Sequence, residues 1–323
     1  MTGKQMWLSI HKDRKFSSYE EVEAAYMEQF DNLIDISVTG ALVAQRLQKE
    51  MIPHPYFSAV FEDCLESGMD LVDGGAKYNI GPVLTWIGLA ESANSLAAVK
   101  KLVFDDKACT MTELLTALDK NCEGCGSMRR KAQLAMKYGN DDDYVDDIAQ
   151  RIANHFYEKT HQYTDIYGSR FTSAFMGISN FISTGCVIDA MACGRKAGEL
   201  ISEGVSTVAG MDTSTPIAAM NSCAKMNQDI HSGGTLLNMR LSHDIVSTRR
   251  SRSNIAAMVL PFFDHGTFHV QFNTLPTGTL LDAQKHPENY KDPLVRVAGY
   301  SIQFVHLFKA LQDSIIIRSV HGN

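Results

Sequence analysis

Residues 293–304 read Pro-Leu-Val-Arg-Val-Ala-Gly-Tyr-Ser-Ile-Gln-Phe. Val295 and Val297 make a short extended piece that ends at Gly299. Glycine takes backbone angles that other residues avoid, so by itself Gly299 reads as a turn residue. Upstream lies Thr267-Phe-His-Val-Gln-Phe-Asn273, the clearest strand in the chain. It alternates strictly: Phe268, Val270 and Phe272 take one face, and His269, Gln271 and Asn273 the other. That polar face has two readings. It is either a solvent-facing side or the wall of a barrel whose interior faces a ligand.

Outward from these segments the signals become helical. Thr279 with Asp282 caps a short helix that must stop near Pro287. Helical spacing returns from about His306 to Arg318. In the first half, Ser18 followed by Glu21 predicts a capping box before Val22, Tyr26, Phe30, Leu33 and Ile34. A second helix is expected from about Phe57 to Glu66, with Gly68 just past its end. Leu96, Val99, Leu102 and Val103 share one side of a segment from Ser92 to Phe104. Thr110 and Glu113 form another capping box. Asp141 to Asp143 precede Val145, Ile148, Ile152 and Phe156, a placement that suits a helix dipole. No internal boundary stands out, and one mixed α/β unit is expected.

Composition narrows the function classes. The chain has 323 residues, 45% hydrophobic and 21% charged, which excludes disordered, collagenous and coiled-coil proteins. A net charge of -7 argues against a nucleic-acid partner. No apolar run is long enough to span a membrane, and Lys12 to Lys15 stand where a signal peptide needs an apolar core. Seven cysteines, an odd number in a long chain, do not form a secreted disulfide framework. A reduced, cytoplasmic protein is expected.

Motif by motif, little chemistry emerges. Cys122-Glu-Gly-Cys125 lacks a second pair for zinc and the strand context of a redox CxxC. The eleven histidines show no HExxH, and no metal site is expected. No GxGxxG, P-loop or GxSxG is present, and Gly233-Gly234 reads as a turn.

Taken with its surroundings, the C-terminal block says more. Arg296-Val297-Ala298-Gly299-Tyr300 resembles the signature of the glycyl radical enzymes, the pyruvate formate-lyase family. Gln271-Phe-Asn273 and Leu281-Asp-Ala-Gln-Lys-His-Pro-Glu-Asn-Tyr290 resemble the lead-in to that loop. Gly74-Gly-Ala-Lys-Tyr-Asn79, Ser95 to Phe104, Lys137-Tyr-Gly-Asn-Asp-Asp-Asp143 and Gly194-Arg-Lys-Ala-Gly198 follow the family's order.

The resemblance implies an α/β fold, the second half of a ten-stranded β/α barrel surrounded by helices. Residues 1–180 would be the helix-rich end of the catalytic region and residues 181–323 the glycine radical domain, or both one unit. It implies a radical on Gly299, supported by Arg296, Val297, Ala298 and Tyr300, with His269, Gln271 and Asn273 toward the barrel interior. Only glycine lacks a side chain that would obstruct planarity at Cα. The radical would be installed by an S-adenosylmethionine-dependent activating enzyme and passed to a cysteine, whose thiyl abstracts hydrogen from a small-molecule substrate. The implied activity is that of a lyase, dehydratase, decarboxylase or formate acetyltransferase. A homodimer fits the same reading.

Two departures matter. The family's thiyl cysteine lies in a Gly-Cys loop well upstream of the Gly-Gly-Ala segment, where this chain has only Cys64. Gly185-Cys186 lies downstream, in the wrong order. The chain is therefore expected to be a C-terminal portion that acts with an N-terminal half carrying the cysteine. A non-catalytic spare part that restores a damaged enzyme, and a non-functional fragment, are the alternatives. The second departure is Cys193, where the family often has aspartate before Gly-Arg-Lys.

Overall fold

The computed structural model describes residues 7–8, 15–297, 299–318 and 320–321. Ala298 lies outside them. The chain divides into two compact units.

The first unit comprises residues 1–84 and 155–174. Its main element is α1 (Tyr19–Met51). Ala25, Phe30, Ile34 and Val38 are buried at helical spacing along one stripe. Ser18 caps the helix by accepting the Glu21 N–H. The Glu21 carboxylate turns to Ser17 instead, at 2.7 Å from both its N–H and its hydroxyl. The predicted box is thus shifted by one residue. The helix expected from Phe57 to Glu66 is broken into turns at Pro55–Ser58 and Cys64–Ser67. Asp63 between them sits at φ 70°, a left-handed conformation that interrupts the hydrogen-bond ladder.

The second unit comprises residues 85–154 and 175–323. α2 (Leu89–Val99) runs into a π-helical turn over Lys100–Asp105. α3 (Met111–Asp119) carries the complete predicted box. Thr110 accepts the Glu113 N–H at 3.2 Å, and Glu113 accepts the Thr110 N–H at 2.7 Å. α4 (Asp143–Thr160) begins in this unit, with acidic residues in its first turn. α5 (Asn180–Val187) follows.

The sheet elements that matter are parallel. β1 (Leu237–Arg240) and β2 (Val270–Asn273) pair in register, Leu237 with Val270 through Arg240 with Asn273. Parallel strands need a crossover, and α6 (Arg249–Asp264) supplies it. All four β1 residues are buried. The other edge of β1 is covered too. The His321 N–H donates to the Arg240 carbonyl at 3.0 Å, and the Ser242 N–H to the His321 carbonyl at 2.9 Å.

β3 (Leu294–Arg296) and β4 (Ser301–Gln303) form an antiparallel hairpin, with Arg296 opposite Ser301. α7 (Thr277–Lys285) precedes it and α8 (Lys309–Ile317) follows. α7 starts two residues before Thr279, with no side-chain cap. Val295 and Val297 sink into a cluster with Phe181, Leu280, Phe304, Leu311 and Ile315. Fully burying one such side chain is worth roughly 1.5–3 kcal/mol. Among the described residues, no helix is long and apolar enough to cross a membrane.

Candidate radical site

The hairpin turn is held at its base and tip. The Val297 N–H donates to the Tyr300 carbonyl at 3.0 Å, closing it. Gly299 stands at φ 77°, in the left-handed region. A Cβ built there would meet nothing within 4 Å, and the residue is exposed.

Two side chains of β2 fix the hairpin backbone. Alternate strand residues share a face and stand roughly 7 Å apart, so Gln271 and Asn273 reach successive points along β3. Asn273 Nδ2 donates to the Arg296 carbonyl at 2.9 Å, and Asn273 Oδ1 accepts the Arg296 N–H at 2.8 Å. Gln271 Nε2 donates to the Val297 carbonyl at 2.7 Å, and its Oε1 accepts the Gly299 N–H at 3.3 Å. Gln271 is 4% exposed and Asn273 7%.

Behind Gln271 lies a buried polar layer. Gln271 Nε2 also donates to Oδ1 of Asn238, its register partner on β1. Asn238 Nδ2 donates to Glu203 at 2.7 Å, and Arg318 donates to the same Glu203 oxygen at 3.0 Å. Burial pushes Glu203 up to about 7, although Arg318 and Asn238 favour its charged form. Arg240, 2% exposed, donates to the Ile316 and Leu275 carbonyls and to the Thr277 hydroxyl, each at 2.9 Å. Glu203, Asn238, Arg240 and Arg318 border a cavity of about 500 Å³, together with Lys137 and Cys193.

The family model for pyruvate formate lyase-like proteins matches residues 1–185, and that for the glycine radical region matches residues 201–305. The chain belongs to the pyruvate formate lyase-like, glycyl radical enzyme family. It is 38% identical over 320 residues to the trans-4-hydroxy-L-proline dehydratase of Clostridioides difficile, covering 99% of this chain and 40% of that protein. It is 34% identical to the (2S)-3-sulfopropanediol dehydratase of Klebsiella oxytoca, covering 98% and 39%. The glycerol-bound, B12-independent glycerol dehydratase of Clostridium butyricum superposes with a TM-score of 0.94 at 34% identity, over 99% of this chain and 41% of that one. The chain thus spans about 40% of the length of the relatives it matches.

As a glycyl radical enzyme chain, its fold is the α/β second half of that family's barrel, surrounded by helices. β1 and β2 are neighbouring parallel strands, and the hairpin lies against the Gln271/Asn273 face. Of the residues singled out in the sequence, Gln271, Asn273, Arg296, Val297 and Gly299 come together through the hydrogen bonds above. His269 precedes β2 and is half-buried, with Nδ1 lacking a hydrogen-bond partner. Burial, and then the Arg296 charge, lower its pKa. Tyr300 is 44% exposed and contributes its carbonyl to the turn. Phe268, placed by alternation on the face of Val270 and Phe272, is 48% exposed, because the strand begins only at Val270.

Glu203, Asn238, Arg240 and Arg318 were not signalled by the sequence. Their partners are far away along the chain, and only the fold brings them together. Among the described residues, no cluster of three or more His, Cys, Asp or Glu could hold a metal ion.

Proposed function

We propose that this protein stores a radical on the α-carbon of Gly299 and acts within a glycyl radical enzyme of the dehydratase and lyase branch. The observation that carries the reading is the hairpin tip. A left-handed glycine has its N–H held by Gln271 while its α-carbon stays open, inside the region matched as a glycine radical. In this reading an S-adenosylmethionine-dependent activating enzyme removes one hydrogen atom from Gly299. The unpaired electron spreads over the flanking amide nitrogen and carbonyl, which requires a planar α-carbon. The α-carbon later takes the hydrogen of a cysteine thiol, leaving a thiyl that removes hydrogen from a small-molecule substrate.

We assign the cysteine to sequence outside this chain. Cys64 opens a short helical turn and Cys186 lies on α5, so neither sits in a loop suited to the exchange. Residues 181–323 act as the glycine radical domain and residues 1–180 as the end of the catalytic region. The dehydratase names of the relatives support the branch. The match over residues 1–185 disfavours a spare part, which would need only the radical region. Free cysteines throughout fit a cytoplasmic protein.

Anaerobic treatment of the full-length protein with its activating enzyme tests the assignment. A doublet electron paramagnetic resonance signal from the remaining Gly299 α-hydrogen is expected. A signal unchanged in Gly299→Ala overturns it.

A further inference from the structure

We propose that Glu203 is a positioning residue that, through Asn238 and Gln271, fixes the amide orientation holding the Gly299 N–H. The inference rests on the radical reading of Gly299 for its purpose, though not for its geometry.

A side-chain amide has a donor end and an acceptor end, and its neighbours decide which way it points. Glu203 offers an acceptor to Asn238, so Asn238 turns Nδ2 toward it at 2.7 Å. That leaves Asn238 Oδ1 facing β2, where it accepts from Gln271 Nε2. Gln271 Nε2 also reaches the Val297 carbonyl, so Oε1 is left for the Gly299 N–H. Each donor along this line meets an acceptor. Glu203 is 3% exposed, Asn238 7% and Gln271 4%, so water does not compete for the sites. Two further contacts hold the far end. Arg318 donates to the same Glu203 oxygen at 3.0 Å, and the Asn238 N–H donates to the Ser206 hydroxyl at 2.9 Å.

The sense of the line matters chemically. An acceptor on an amide N–H increases electron donation from that nitrogen, which is what stabilises an adjacent carbon radical. A reversed Gln271 would face the N–H with another donor. Glu203, whose side chain is not within hydrogen-bond reach of the hairpin, thereby biases the hydrogen bonding at Gly299.

The test uses the full-length protein before activation and reads amide hydrogen exchange at Gly299. Glu203→Leu removes the acceptor and should speed exchange several-fold. Glu203→Gln keeps a carbonyl toward Asn238 and should retain most of the protection. Asn238→Leu, close in size to asparagine, breaks the line at a second point and should match Glu203→Leu. It also serves if Glu203→Leu does not fold. Unchanged exchange in the leucine variants, or equal loss in Glu203→Gln, overturns the proposal. Radical yield after activation separates the two readings. Altered exchange with no doublet in the unsubstituted protein leaves the line of amides standing and removes the radical from Gly299. A doublet with exchange unmoved by either leucine variant does the reverse.

Discussion

Asn273 holds Arg296 as a neighbouring strand would, accepting its N–H at 2.8 Å and donating to its carbonyl at 2.9 Å through one side-chain amide. The hairpin is docked on β2 by side chains of that strand, whereas β1 and β2 pair backbone to backbone. Asn273→Asp keeps the size and the acceptor but removes the donor. Losing a hydrogen bond to this part-buried carbonyl costs about 0.5–1.5 kcal/mol. The urea midpoint should fall accordingly, and an unchanged midpoint would show that the clamp contributes nothing.

Gly299→Ala separates chemistry from folding. The added methyl meets nothing within 4 Å, so the only penalty is the left-handed backbone at φ 77°, about 1–2 kcal/mol. The variant should fold, by circular dichroism, yet yield no doublet after activation. Activated unsubstituted protein exposed to air should be cut near residue 299, as read by mass spectrometry.

Two phenylalanines should respond differently. Phe304 is fully buried in the cluster that anchors the hairpin, so Phe304→Ala should cost about 3–5 kcal/mol. Phe272 is only half-buried, and Phe272→Ala should cost less in the same denaturation experiment. Equal losses would contradict the different burial of the two rings.

Glu203 predicts a pH dependence. Its pKa is raised to about 7 from the ordinary 4.5, chiefly by burial. The folded protein therefore keeps this proton at pH values where the unfolded chain has lost it. The stability so contributed is fully present below pH 4.5 and is lost as pH rises through about 7. Glu203→Gln should flatten that part of the profile. A profile identical in the two proteins would refute the raised pKa.

Lys137 gives the opposite slope. Its ammonium donates to the Ala132 and Ala135 carbonyls at 2.6 and 2.8 Å, and burial lowers its pKa to about 8. Cys193 is the titratable neighbour that opposes this shift. The unfolded chain binds the proton more readily between pH 8 and 10.5, so stability should rise across that window. Cys193→Asp would supply a carboxylate and should flatten the rise, measured by denaturation at its two ends.

How much of this was legible follows from where each signal resides. The Thr110–Glu113 box was readable because both partners lie within one turn. The alternation from Thr267 to Asn273 separated two faces, yet could not say which was covered, since Gln271 and Asn273 find partners 23 to 33 residues away. β1 was invisible because buried Asn238 and Arg240 look like surface residues until the register is known. α6 opens on Arg-Arg-Ser-Arg-Ser and contains Pro261, a pattern that reads as loop. For Gly299 the local residues read as a turn, and only the surrounding matches pointed to chemistry there.

The anchoring of the hairpin also decides what a broken chain would do. Beyond Gly299, Phe304, Leu311 and Ile315 remain wedged in the cluster, and His321 stays bonded to the edge of β1. A backbone scission at the glycine would therefore leave the severed tail clasped in place. The damaged molecule would keep its outline while losing its spin, and any replacement tail would first have to evict the old one.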